Sequence, residues 1–238
     1  MMGGRIRTWL SVIVLGMTCT ATPAAAEWNT DLYGGVAWIQ SSDVQVHPDT
    51  NSGFDSHLTI FDLDTDPGFT VGLRNGYWFD SLPFVGVDFD VFYMQTPVPA
   101  QVRSGTGSFT GRFLGKPITV SDSGVASIPS ATLPLFGFAP EIRFRWPLAV
   151  NSEFPTGRWQ PYFTGGPAWA FSLKDNSPVV EFGGKVGAGL AFNVTDHIAV
   201  FGEYRFTFYP GFKLTDHNVS YTTDIDSHGF VLGASLRF

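Results

Sequence analysis

The chain holds a single cysteine in 238 residues, Cys19. One thiol excludes a disulfide framework. Charge is scarce too: Asp, Glu, Lys and Arg make up 15% of the residues, against about 25% in an ordinary soluble domain. Basic residues are the rarer kind, 14 Lys and Arg against 21 Asp and Glu for a net charge of −7, the wrong sign for holding nucleic-acid phosphates. No long apolar run follows Glu27, which excludes a membrane-spanning helix there. What is plentiful is aromatic: 16% of the chain, with 23 Phe and 7 Trp beside 27 Gly. Such a composition is not that of a disordered chain. Either the rings build a large core, or much of the apolar surface faces something other than water.

Residues 1–26 read as a cleaved secretory signal peptide. Arg5 and Arg7 give a positive start, an apolar stretch runs from Thr8 to Thr18, and Ala24-Ala25-Ala26 supplies small residues before Glu27, the pattern of a signal-peptidase site. The apolar stretch is shorter than the roughly 20 residues a spanning helix needs. Cys19 is not expected to carry a lipid, because Thr18 stands where a lipid-attachment signal has Gly, Ala or Ser. Cleavage leaves residues 27–238 as one domain without cysteine, and the loss of Arg5 and Arg7 moves the net charge from −7 to −9. A chain without thiols suits an oxidising compartment.

Beyond Glu27 the recurring pattern is alternation with a period of two, the mark of strands whose faces meet different surroundings. Eight strands are expected, over Asp31–Gln40, Pro67–Phe79, Pro83–Thr96, Leu133–Trp146, Trp159–Leu173, Val179–Val194, His197–Tyr209 and Ile225–Phe238. In the third, Val85, Val87, Phe89, Val91 and Tyr93 share one face, and Gly86, Asp88 and Asp90 the other. In the sixth, Val180, Phe182, Val186, Leu190 and Phe192 oppose Glu181, Gly183, Lys185, Gly187 and Gly189. The charges away from segment ends, Arg74, Asp88, Asp90, Glu141, Arg143, Arg145, Glu181, Lys185, Glu203, Arg205 and Arg237, all fall on the less apolar face. A soluble sandwich shows the reverse, with charge outside and aliphatic residues inside. The expected fold is therefore all-β, an eight-stranded antiparallel up-and-down transmembrane β-barrel, bulky toward lipid and small or charged toward the lumen. Eight strands leave an interior just wide enough for side chains, so the near-balanced charges are expected to form a paired network that plugs it. A narrow pore gated by the same pairs is the alternative.

The joins alternate in length. Ser41–Asp66, Pro97–Thr132, Lys174–Pro178 and Pro210–Asp224 fall at one end, and Asp80–Leu82, Pro147–Arg158 and Thr195–Asp196 at the other. Barrels of the outer membrane have short periplasmic turns and longer outer loops, so both termini are expected in the periplasm. Lys174–Pro178 is short for an outer loop, and Pro147–Arg158 long for an inner turn. Trp28, Trp38, Trp78, Phe79, Trp146, Trp159, Trp169 and Tyr209, near segment ends, are expected in the two interfacial aromatic girdles. The face assignment predicts a cost of about 2–4 kcal/mol for Phe182→Arg on the lipid side and a mild effect for Gly183→Ser in the lumen.

The terminal strand Phe230-Val231-Leu232-Gly233-Ala234-Ser235-Leu236-Arg237-Phe238, with its final aromatic, resembles the closing strand of bacterial outer-membrane proteins. Gln160-Pro161-Tyr162-Phe163-Thr164-Gly165-Gly166-Pro167-Ala168, and the run from Gly183 through Thr195-Asp196-His197 to Gly202-Glu203-Tyr204-Arg205-Phe206, resemble the small eight-stranded barrels of the opacity-protein and outer-membrane-protein-A type, porin-like surface antigens. The resemblance implies a bacterial outer-membrane location, with membrane lipid and lipopolysaccharide as surroundings. It also implies that Phe230, Leu232, Leu236 and Phe238 form the signal read by the barrel-assembly machinery. That class includes adhesins, structural barrels, narrow pores and a few lipid enzymes, so it implies place more firmly than activity. The expected role is a non-enzymatic surface barrel, structural or adhesin-like, whose outer loops meet an extracellular ligand. A narrow pore or carrier of small solutes or apolar compounds comes second, and a lipid A-modifying enzyme third.

No catalytic constellation or cofactor motif stands against this reading. Ser227-His228 lies near the start of the last strand, where adjacent residues point to opposite faces. Gly183–Gly189 alternates as a strand with no helix after it, so it is no phosphate loop. The first long join carries Asp43, Asp49, Asp55, Asp62, Asp64 and Asp66 without Lys or Arg. If extended, Asp62, Asp64 and Asp66 share a face, a candidate site for a hard cation, although a solvated acidic loop explains them as well. The second long join carries Arg103, Arg112 and Lys116 against Asp122 alone. The two joins are therefore expected to pair with each other or with lipopolysaccharide phosphates.

Overall fold

The structure, a computed structural model, describes residues 27–48, 55–113, 116–172, 179–216 and 219–238. The signal-peptide reading of residues 1–26, Asp49 and the join Lys174–Pro178 lie outside them. Alternation is realised as twelve strands: β1 (Glu27–Ile39), β2 (Ser42–Pro48), β3 (Asp55–Leu63), β4 (Gly68–Phe79), β5 (Leu82–Val98), β6 (Gln101–Phe113), β7 (Lys116–Ile128), β8 (Ala131–Arg145), β9 (Trp159–Ser172), β10 (Val179–Asn193), β11 (Ile198–Asp216) and β12 (Val219–Arg237).

Eight of these close a barrel in the order β1-β4-β5-β8-β9-β10-β11-β12, all antiparallel, with β12 returning to β1 from Asn29↔Arg237 to Ile39↔Ser227. They are the eight strands the sequence predicts, most of them running further. Closure pairs every barrel strand on both sides, the condition hydrocarbon imposes on backbone polar groups. The outward face is apolar and uncovered: Leu232 is 74% exposed, Leu32 67% and Phe182 59%. Inward, Arg74, Asp90, Glu141 and Lys185 are buried.

Glycine on the inward face makes room for rings. Tyr33 stands opposite Gly72, Phe92 opposite Gly137, Tyr162 opposite Gly189 and Phe201 opposite Gly233. A Cβ at any of these glycines would lie 2.2–2.5 Å from its partner ring or hydroxyl. Ring over glycine fills a narrow lumen that two bulky residues would overpack. Two aromatics expected in the girdles turn inward instead. Trp78 is buried beneath the guanidinium of Arg145, 3.9 Å from its ring centre, and Tyr209 is buried near the opposite end. Closeness to a strand end does not decide a girdle position; the parity of the residue does.

The two longest joins are not loops. The β2–β3 and β6–β7 hairpins continue the barrel wall, in the order β12-β2-β3-β6-β7, and β11 and β12 extend with them to Asp216↔Val219. Val44↔Thr223, Val44↔Ile60 and Ile60↔Gly105 carry the lumen-facing phase up this wall. Its opposite face is polar, with Asp43, Gln45, Ser104, Thr106 and Ser123 exposed. At the other end, the turn Pro147–Arg158 folds back against the barrel mouth. Phe154 is buried there, Gln160 Nε2 donates to Thr156 O at 2.7 Å, and Asn193 Nδ2 donates to Gly157 O at 2.7 Å. The turn's length serves that floor.

Candidate functional site

The lumen is filled in layers. Near the termini, Glu27 accepts from Arg145 Nη2 at 2.8 Å and lies 3.2 Å from Arg237 Nη1. Arg237 also donates to Gln160 Oε1 at 2.9 Å. Above them, Asp31 Oδ2 takes Arg74 Nε and Arg143 Nη2, each at 3.0 Å, while Asp88 pairs with Arg143 Nε at 2.7 Å. Arg74 reaches across the barrel to Glu203 Oε2 at 2.8 Å, and Arg205 Nη2 takes the other oxygen of Glu203 at 2.7 Å. Tyr162 donates its hydroxyl to Glu203 at 2.9 Å. Lys185 closes on Asp90 and lies 3.0 Å from Glu141, while Tyr33 donates to Asp90 at 2.7 Å. Beyond this charged band the lumen turns apolar: Ala37, Ile39, Met94, Leu135, Tyr209, Phe212 and Ile225 form a buried cap.

Of the charges the sequence placed in the lumen, ten stand in the charged band: Arg74, Asp88, Asp90, Glu141, Arg143, Lys185, Glu203 and Arg205 are linked by ion pairs, and Arg145 and Arg237 share Glu27 in the layer nearest the termini. Glu181 does not belong to the band. It is only partly buried, and its carboxylate accepts the backbone N–H of Lys213 at 3.3 Å. Two residues were missed, Asp31 and Glu27. Asp31 shares the odd parity of Tyr33 and Ala37, a signal that was present. It was obscured because Asp31 opened its expected strand, which in fact starts four residues earlier. With Glu27 and Asp31 in and Glu181 out, six carboxylates face six cations. A buried charge without a partner costs several kcal/mol, and an even count lets each find one. Between band and cap lies a cavity of about 20 Å³, bordered by Phe92, Met94, Lys185, Arg205, Tyr209 and Ser227, space for about one water molecule.

The acidic triplet does not gather. β3 ends at Leu63, Asp62 takes a left-handed φ of 53°, and the pairing slips between Ser42 and Val44 opposite it. The strand phase that would have put Asp62, Asp64 and Asp66 on one face is broken there. Asp64 instead pairs with Arg103, Asp62 N–H donates to Asp43 Oδ1 at 3.1 Å, and among the described residues no three His, Cys, Asp or Glu side chains converge on a metal position. The Arg103–Asp64 pair, with Gln101 Nε2 donating to Asp64 O at 2.9 Å, ties the second hairpin to the first. Of the opposite charges of the two joins, Arg103 and Asp64 thus meet each other, while the side chains of Arg112 and Lys116 lie outside the described ones. Ser227 and His228 point apart: Ser227 is buried, its hydroxyl 3.2 Å from Met94 Sδ, whereas His228 lies on the outward face. Phe230, Leu232, Leu236 and Phe238 are all exposed on that outward side.

A closed eight-stranded barrel, apolar outside and filled with paired charge, defines a membrane-spanning β-barrel. Residues 11–238 match the family described as outer membrane protein beta-barrel domain. The chain belongs to that family, and with it to the bacterial outer membrane. Among solved structures it is similar to Neisserial surface protein A, at 12% identity over 90% of this chain and 98% of that one, with a TM-score of 0.45. It is similar also to the outer membrane protein OprG from Pseudomonas aeruginosa, at 11% identity over 88% and 95%, TM-score 0.45. A third is Ail, the attachment invasion locus protein of Yersinia pestis, at 14% identity over 89% and 99%, TM-score 0.31, solved with the heparin analogue sucrose octasulfate. No functionally curated protein matches the chain.

Proposed function

We propose that this protein is a non-enzymatic surface barrel, with both termini in the periplasm and the wall built by β2, β3, β6 and β7 standing outside the cell as its contact surface. The observation that carries the reading is the contrast between the two halves of the molecule. The lumen is occupied by six cations and six anions in ion pairs and roofed by apolar side chains, with space for about one water. The wall, by contrast, presents a polar face of Asp, Gln, Ser and Thr to solvent, and exposed Val102 and Val125 on the same two strands as its Ser and Thr residues. Its partners would be lipopolysaccharide sugars or an extracellular ligand. The exposed terminal pattern Phe230, Leu232, Leu236 and Phe238 would serve the assembly machinery before insertion.

Removing Gly105–Ser123, the outer part of the β6–β7 hairpin, tests the contact role. The register brings Ser104 beside Val125 at the cut, so the barrel is expected to fold while binding of cells to a purified-ligand or host-cell surface falls. Unchanged attachment in the trimmed strain would remove the wall from the function. The narrow-pore reading is separated by planar-bilayer recording of the intact protein, where a filled lumen gives no stable openings.

A further inference from the structure

The lipid-facing wall is not uniform. The register aligns three neighbouring cross-strand rows on β11, β12 and β1: Gly202, Leu232 and Gly34; then Tyr204, Phe230 and Val36; then Phe206, His228 and Trp38. The first two rows border an open groove of about 800 Å³, deepened by the glycines and by Ala188 on β10, within the range of roughly 300–1,000 Å³ typical of ligand sites. The third row is polar. His228 Nδ1 and the Tyr204 hydroxyl are 2.7 Å apart, and the imidazole stacks on Trp38 at 5.6 Å and 18°. Tyr204 belongs to both, lining the groove with its ring and reaching His228 with its hydroxyl. Among the described residues His228 Nε2 has no hydrogen-bond partner.

Height fixes what this pair meets. From Phe238 to His228 on β12, and from Trp28 to Trp38 on β1, ten residues of tilted strand rise about 25 Å, the thickness of the apolar band on such barrels. His228 and Trp38 therefore stand where hydrocarbon gives way to headgroups, with the groove directly below in hydrocarbon. At that level a polar pair costs little, and the imidazole is set to meet headgroup oxygens.

We propose that the groove binds one lipid of that leaflet, an acyl chain lying against Gly34 and Gly202 and a headgroup oxygen accepting a hydrogen bond from His228 Nε2. Resting on the outward orientation argued above, the lipid is the phosphorylated glycolipid of the outer leaflet, lipid A. A second copy of the chain fits less well, because a two-fold interface would set one concavity against the same concavity and leave both unfilled.

The test is native mass spectrometry of the purified full barrel in detergent, offered lipid A or phosphatidylethanolamine. Wild type is expected to retain one lipid A. Gly34→Leu fills the groove, and its Cβ would meet Val71 Cγ1 at 3.6 Å and Thr70 O at 3.7 Å, ordinary contact distances, so the barrel folds but retention is lost. His228→Ala, which removes one hydrogen bond, lowers lipid A affinity about tenfold. Equal retention by wild type and Gly34→Leu, both shown folded by heat-modifiable gel mobility, overturns the site. Dimers free of lipid overturn it in favour of a second copy. Preference for phosphatidylethanolamine that Gly34→Leu abolishes overturns the lipid A assignment and points to the reversed orientation, while recording and trimming test the surface role separately.

Discussion

Arg74 shows what a single residue does in this lumen. Its guanidinium is buried and holds Asp31 on a neighbouring strand and Glu203 across the barrel. Arg74→Met is expected to lower unfolding free energy by about 3–5 kcal/mol, because Asp31 keeps only Arg143 and Glu203 only Arg205 as cations, and six lumen carboxylates then face five cations. Adding Glu203→Gln, which restores five carboxylates to five cations, should recover part of that loss, and urea unfolding in lipid vesicles measures both. A second residue-scale prediction reverses the sequence expectation. A side chain at Gly183 would place Cβ 1.9 Å from the carbonyl oxygen of Phe208, so Gly183→Ser should cost at least about 1–3 kcal/mol through overpacking. Phe182 is the fourth residue from the long-join end of β10, close to the interface, where an arginine costs about 0–1 kcal/mol. The penalty of about 2–4 kcal/mol belongs to Val186, at the middle of the strand, and Val186→Arg should show it in the same unfolding assay. Parity told which face each of these residues occupies. It told nothing of depth, or of how near the next backbone passes.

At the scale of elements, the eight barrel strands were legible because each meets lipid on one side and packed charge on the other, and that contrast is written residue by residue. The four further strands were not. In β6 and β7, Gly105, Gly107 and Gly124 alternate with Ser and Thr, so apolar alternation is weak and turn-forming residues suggest loops. Their pairing follows from being tethered to β5 and β8, which arrive already in register. Arg103→Ala removes the side-chain tie between the hairpins, but Arg103 and Asp64 are 28% and 55% exposed. The expected effect on barrel unfolding is therefore under about 1 kcal/mol, with faster protease cleavage within Gln101–Ile128 as its visible sign. If barrel stability fell as far as in Arg74→Met, the wall would be an integral part of the fold rather than an extension of it.

For the whole molecule, the filled lumen predicts silence in a planar bilayer, and frequent stable openings would count against it. The sequence by itself determined the strands of the barrel, the face each residue takes and the surroundings of each face, because period-two alternation is local and a membrane enforces it at every position. Only the tertiary structure decided who meets whom. Arg74 and Glu203 lie 129 positions apart, and nothing along the chain relates them until closure of β12 on β1 sets the stagger of all eight strands. The same stagger seats rings over glycines, drops Glu181 from the network, admits Asp31, and aligns Tyr204 with His228 above the groove. Local pattern assigns a side chain to a medium; the closed register assigns it a partner.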